Sequence, residues 1–485
     1  MPRLKSKTGC MTCLARKKKC DEKRPVCSHC ERLGLACVRR DAASDSHSEM
    51  LVSSTNLKAR GPPLQHAITN GYPSFRSDFE RQVTLESSTV LRPLVSRMAG
   101  TWYQEETMFG RFCTQNRLVR EAIVAFSAYG QDARNDGSYK MSLQNYQSCI
   151  MRLKQTRAYE HQDPAERDST ITAIVFLGLL EALKLGDPVN AVNHFEMCRK
   201  LLMARLSQAA TVADIGLLNL YRMIAECIIY NLGTLSPFRA DIVQAAGDWG
   251  TAFDQLFPGN DHYLSPFLGG FQGIYQVTFR ISVLLRQTEA DRMAGVVQQS
   301  TFETFDMLWR QLADLEYKIP TMYCRNGLPE DTIKLYQAKN KIIVYALRIH
   351  LTKIIRPAAG PEDVEIYLNL TQAIAILKEQ DVQEPGNPAL RWPLSILLCA
   401  ADADEDFEFI VSVMQQMQCI LDPANSRKLA AAYNILRDYR RDAALALQGG
   451  SLPTPLRQLD FLLEPRNLEE PGFGDGIQGR VLELT

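Results

Sequence analysis

Six of the chain's thirteen cysteines, Cys10, Cys13, Cys20, Cys27, Cys30 and Cys37, fall within its first forty residues, separated in turn by two, six, six, two and six residues. One unit is used twice: cysteine, two residues, cysteine, six residues, cysteine, repeated at an offset of seventeen. A two-residue gap sets a pair of sulfurs over the free amides of a first helical turn, where the helix dipole favours the thiolate. Paired thiolates bind a soft divalent metal, and thiolate-only ligation without redox-cluster spacing points to zinc. Six sulfurs are too many for one tetrahedral ion and two short of what two separate sites need. Two sulfurs shared between two ions close the count. The repeat places the shared pair at equivalent positions, as Cys10 with Cys27, Cys13 with Cys30, or Cys20 with Cys37.

Between the second and third cysteines lie Leu14, Ala15, Arg16, Lys17, Lys18 and Lys19, so a metal-anchored helix there presents four consecutive cations. A small basic helix fits a DNA major groove, where cations reaching guanine O6 and N7 make the commonest specific contact. Arg16 and Lys17 are assigned to base edges, and Lys18, Lys19, Lys23 and Arg24 to phosphates. Six thiolates on two dications leave a cluster charge of about −2, which the flanking cations exceed. The first forty residues hold twelve Lys and Arg against three Asp and Glu, and the zero net charge of the whole chain conceals this. A basic head on an acidic body calls for a polyanionic partner at one end only. The same run, with Arg39 and Arg40, suits nuclear import. The head's large apolar residues, chiefly Leu4, Leu14, Val26, Leu33 and Leu35, are too few to fold it. Metal binding therefore supplies the folding free energy, roughly 10–16 kcal/mol for a structural zinc.

The run from Cys10 to Cys37 resembles the fungal binuclear zinc cluster transcription factors in every cysteine, in the basic run before the third, and in Pro25 between the halves. The resemblance implies two Zn2+ bridged by Cys10 and Cys27, and double-stranded DNA read at CGG-like triplets. It further implies a nuclear location and control, by default activation, of RNA polymerase II transcription. Transcription machinery or coactivators, a small-molecule effector and a second copy of the chain stand as further partners. An alternative of another class is a zinc-stapled scaffold that binds proteins through head and body. Such modules usually carry two independent four-ligand sites, commonly with histidine, whereas here only His29 lies nearby. His29 is assigned to solvent or phosphate, and DNA retention by residues 1–45 separates the two readings.

The elements that must carry this head follow from breakers and periodicity. The head occupies residues 1–40. Residues 41–95 are Ser-rich, with breakers at Gly61, Pro62, Pro63 and Pro73, and are expected to be a flexible linker. No apolar heptad follows the head, since Pro93 interrupts the one candidate between Leu85 and Met98. Residues 96–450 show apolar positions at three and four spacing, so the fold expected is a small zinc-stapled N-terminal domain with two short metal-anchored helices, followed by a mostly all-α regulatory domain. Helices are expected over Leu118–Tyr129, Met141–Gln155, Ser169–Leu185, Val189–Leu206, Asp214–Leu232, Asp331–Ile355, Glu362–Glu379, Phe407–Leu421 and Ser426–Leu447. The stretch Ile171–Arg205 resembles the helical middle region of one branch of the same family.

No phosphate loop, nucleophile elbow, dinucleotide fingerprint or paired His–Glu metal motif occurs in the body, so an enzyme has no residues to stand on. Glu181 and His194 suggest a catalytic pair only in isolation, because a histidine on an amphipathic helix usually packs or caps. The seven scattered cysteines are expected in the core. No signal peptide or membrane span is apparent, the longest apolar run, Ile171–Leu180, ending at Glu181. Two acidic-apolar stretches could contact the transcription machinery: Asp402–Phe409, whose acids also suit a helix N-terminus, and Leu459–Leu463 with the following Glu464, Glu469 and Glu470, in a tail over residues 451–485 expected to be loose.

Overall fold

The computed structural model describes residues 20, 21, 23, 27–32, 116–129, 136–155, 163–185, 188–208, 215–238, 255–257, 268, 272–321, 330–379, 390–418, 423–448 and 458–468. The linker expected over 41–95 lies outside them. The chain forms two compact units, Met1–Ala59 and Arg60–Thr485. In the first, the described regular element is the short helix α1, Ser28–Arg32.

Every regular element described in the second unit is helical, as the periodicity requires. These are α2 (Arg117–Ala128), α3 (Asp136–Gln155), α4 (Pro164–Leu179), α5 (Pro188–Gln208), α6 (Ile215–Leu235), α7 (Gln272–Ala294), α8 (Gln299–Lys318), α9 (Glu330–Ile355), α10 (Val364–Glu379), α11 (Arg391–Ala400), α12 (Asp404–Gln418) and α13 (Pro423–Gln448). Their starts are written in the sequence. Asn116 accepts the amides of Leu118 and Val119 at the head of α2, and Asp163 accepts that of Ala165 just before Pro164 opens α4. Each satisfies a donor that the first helical turn leaves without a partner. Asp404, Glu405 and Asp406 fill the first turn of α12, where the dipole favours them, which accounts for the first acidic stretch.

Helices α2 to α5 pack against one another, and α6 joins α5 to α7. The α7–α8 pair turns at Gly295, whose φ of 73° suits glycine, and both helices lie on α9. Helix α9 carries α10 and α11, and α12 and α13 close against α11. One apolar cluster runs through all of these, from Val119 to Leu468, with Phe126, Phe176, Phe195 and Tyr221 fully buried. Each such side chain contributes about 1.5–3 kcal/mol by leaving water. Helix α4 passes at Leu180 into a π-helical segment, Leu180–Leu185, where the buried Glu181 accepts the Tyr146 hydroxyl at 2.5 Å.

Gly178 on α4 lets α5 approach closely, since a Cβ there would lie 2.8 Å from Phe195 Cε1. Alanine is the better helix former by about 1 kcal/mol, but displacing a packed aromatic ring costs about 1–3 kcal/mol. Gly178→Ala is therefore expected to lower stability in urea titration. An unchanged or raised midpoint would mean that Phe195 swings aside freely.

The periodicity misses α7, α8 and α11. Helix α8 carries Phe305, Leu308, Leu312 and Leu315 at three and four spacing, with Leu308 and Leu312 buried and Phe305 and Leu315 packed on the core, so its period was legible in the sequence. Helix α11 carries Pro393 in its first turn, where the missing amide is harmless but the sequence reads as a break. The structure also differs over the C-terminal segment expected to be loose. Gln458–Leu462 and Pro465–Leu468 form 3-10 turns whose Leu459, Phe461, Leu462 and Leu468 are buried in the common core. Apolar residues too closely set for a helix stripe were readable there as a solvated motif, yet they have a surface to cover.

His350 on α9 lies under this segment. Its ring meets Trp392 edge-on, and its Nε2–H donates to the Leu462 carbonyl at 3.0 Å. Burial pushes the imidazole down to about 4, against a single backbone hydrogen bond acting the other way. The folded state thus binds the proton more weakly than the unfolded chain. This contribution is complete above the ordinary histidine value of 6.5 and is lost as pH falls from there towards 4, to an extent of roughly 3 kcal/mol. Thermal melts of the body are expected to fall through this window, and less steeply for His350→Gln, which keeps a donor but cannot titrate. Equal slopes would assign the acid sensitivity elsewhere.

Candidate metal centre and nucleic-acid interface

Three of the six head cysteines, Cys20, Cys27 and Cys30, lie among the described residues, and all three are buried and unoxidised. The sulfurs of Cys20 and Cys27 and a carboxylate oxygen of Asp21 lie within 4.8 Å of one another. The Cys30 amide donates to Cys27 Sγ at 3.4 Å. Burying sulfurs in a head with so little apolar surface has no hydrophobic return, whereas thiolates brought together with an amide donor are what a zinc ion needs. The donor set fits zinc.

Asp21 is the residue that spacing arguments overlook. Both of its carboxylate oxygens accept the Ser28 amide, at 3.2 and 3.3 Å, so it caps α1 from seven residues upstream. Hydrogen bonding from the Ser28 side chain holds the exposed carboxyl below its usual range, opposed next by burial, with backbone amides adding smaller downward pulls. Engaged in this way, Asp21 ties the start of α1, and with it the Cys27–Cys30 turn, to the chain just after Cys20. The seventeen-residue offset pairs Asp21 with Val38 and Ser28 with Met11, so the cap has no chemical counterpart in the other half. That asymmetry was legible in the sequence.

Lys23 is exposed beside this centre. Cys10, Cys13, Cys37, Arg16, Lys17, Lys18, Lys19 and Arg24 lie outside the described residues. His29 is half-buried on α1, with Nε2 shielded from solvent and making no hydrogen bond among the described residues. Cys149, Cys198, Cys227 and Cys399 are buried body thiols, and burial pushes each upward, Cys149 to about 12. They remain neutral packing groups. No helix among the described residues is long and apolar enough to cross a membrane.

Residues 107–438 match the model of the fungal specific transcription factor domain, and residues 8–46 match that of the fungal Zn(2)-Cys(6) binuclear cluster domain. Among curated proteins, the chain is 45% identical over 67 residues to a Zn(2)-C6 fungal-type transcription factor, afumD, of Aspergillus fumigatus, covering 13% of this chain and 17% of that one. It is 46% identical over 145 residues to the transcriptional activator protein UGA3 of Saccharomyces cerevisiae, covering 29% and 25%. It is 58% identical over 33 residues to the transcriptional regulatory protein pro1 of Neurospora crassa, covering 7% and 5%. The matched segments thus span a quarter or less of the length of these relatives. No solved structure matches the chain.

Proposed function

Because the chain belongs to the fungal-specific transcription factor family and opens with a Zn(2)-Cys(6) cluster domain, we propose that it is a nuclear, sequence-specific activator of RNA polymerase II transcription. The observation that carries this reading is the convergence of Cys20 and Cys27 inside a match that covers all six head cysteines. Cys10, Cys13, Cys20, Cys27, Cys30 and Cys37 hold two Zn2+. Bound zinc supplies a rigid cross-link and no chemistry on a substrate. Sulfurs on one ion must be neighbours, so the closeness of Cys20 and Cys27 supports a bridge of Cys10 with Cys27 or of Cys20 with Cys37 over one of Cys13 with Cys30.

The chain's own residues do the reading. Arg16 and Lys17 meet base edges of a CGG-like triplet, while Lys18, Lys19, Lys23 and Arg24 hold phosphates and fix the register. The helical body sets activity, through a small effector, a coactivator or a second copy.

Selection from random duplexes by the full chain, at two salt concentrations and with a chelated control, tests this. Enrichment of a CGG-like triplet that chelation abolishes is expected, with a salt slope of about 0.9 per phosphate contacted. Lys17→Ala should flatten sequence preference at a cost of about 1–3 kcal/mol, and Lys19→Ala should weaken all sequences alike. Zinc-dependent folding without any enriched sequence would favour the protein-binding scaffold instead.

A further inference from the structure

We propose that the segment Gln458–Leu468 is a protein-contact surface held shut against the chain's own body, so that the chain is autoinhibited until this strap is released. The proposal rests on the activator reading above. Leu459, Phe461, Leu462 and Leu468 interleave with Asp460 and Glu464, a composition suited to an apolar groove with a cationic rim on a partner protein. In this structure those four apolar side chains are buried, with Phe461 edge-on to Tyr439 of α13. The surface is present but covered.

What covers it is a clasp of side chains rather than a continuation of a helix. The Gln458 amide donates to the carbonyls of Leu398 at 2.7 Å and Ala401 at 2.9 Å, which the end of α11 leaves without amide partners, and its Oε1 accepts Arg440 Nη1 at 3.0 Å. Lys353, fully buried on α9, spends its ammonium on Asp460 at 2.6 Å and on the carbonyls of Pro357 and Ala359. Leu462 offers its carbonyl to His350. Residues 458, 460 and 462 are thus read in turn by α11, α9 and α9, as a receptor reads a bound peptide. The backbone hydrogen bonds of α9, α11 and α13 close within each helix and take no backbone amide from the strap among the described residues. Asp460 remains a quarter exposed at the rim, where a competing cationic partner reaches it. Release leaves Lys353 without its carboxylate and with only the Pro357 and Ala359 carbonyls, so the closed and open states differ by one broken ion pair, a discrete step rather than gradual loosening.

The test uses the full chain fused at its N-terminus to an unrelated DNA-binding domain with its own operator, so that its own DNA reading is not in play. Lys353→Met and Gln458→Ala open the clasp while leaving the apolar surface intact. Hydrogen exchange over 458–468 is expected to quicken by about tenfold in each, with the rest of the body unchanged, and reporter output should rise several-fold. Ending the chain at residue 457 should abolish that rise. Faster exchange with flat or reduced output, in a fusion that does activate, would overturn the proposal and leave the activator reading standing. Unchanged exchange would overturn it by showing that the clasp does not hold the strap. Should Lys353→Met loosen α9 itself, Gln458→Ala alone decides. Silence of every variant, the unmodified fusion included, would refute the activator reading and the proposal together.

Discussion

Replacing Cys27 with serine, or stripping metal with a chelator, is expected to unfold the head and eliminate selective DNA retention while the melting of the helical body stays where it was. Cys27 is buried at the centre of the described sulfurs: it lies beside Cys20, and it accepts the Cys30 amide that sets the α1 turn. A structural zinc contributes about 10–16 kcal/mol to a domain of this kind. No apolar core of the head can offset even part of that loss. The body is a compact unit of its own, with an apolar core running from Val119 to Leu468, so its unfolding should be indifferent to the chelator. Circular dichroism and a duplex-retention assay on the same sample check both halves. Retained selectivity in the metal-free protein would remove zinc from the account of how the head works.

The second large effect is expected at Asp168 in α4. Its Oδ1 accepts the Tyr221 hydroxyl from α6 at 2.5 Å and Arg205 Nε from α5 at 3.2 Å, so one carboxylate ties three helices together. Burial raises its pKa, with the Tyr221 hydrogen bond and Arg205 pulling the other way. Tyr221 is fully buried and the Arg205 side chain only 16% exposed, so neither finds water when the carboxylate is removed. Asp168→Ala is expected to cost about 3–5 kcal/mol, the penalty for stranding a buried charge. Asp168→Asn, which keeps an acceptor for Tyr221, should cost less. Denaturant titration with Tyr221→Phe as the cycle partner measures the coupling, and a loss below about 1 kcal/mol for Asp168→Ala would mean that the helices rely on apolar contact alone.

How much of this could be read from the chain varies with the kind of signal. The cysteine frame was legible because metal ligation fixes residue type and spacing together, and the helical body because α2, α5 and α9 keep their apolar period over several turns. Helix α11 escaped notice because Pro393 imitates a terminator, whereas α8 keeps a legible period through Phe305, Leu308, Leu312 and Leu315. Asp21 reaches its partner across seven residues through a hydrogen bond that no periodicity records. The strap was misread for a further reason: acidic and apolar residues in alternation describe a solvated contact segment and a docked one equally well. Only the presence of Lys353, His350 and the open end of α11 on the facing surface distinguishes them, and those residues come from distant parts of the chain.

That distance has a consequence for synthesis. Lys353 leaves the ribosome about a hundred residues before Asp460, an interval of roughly 5–20 s at ordinary elongation rates. Throughout it the nascent body can assemble α2 to α8, but the pocket around His350 and Lys353 must wait for residues 458–468 to be made. Every newly translated molecule therefore passes through a strap-open form before its first closure. A chaperone or partner that recognises that form has its earliest access during translation, and a transcript cut before codon 458 yields a protein permanently fixed in the state that the strap-bearing chain leaves.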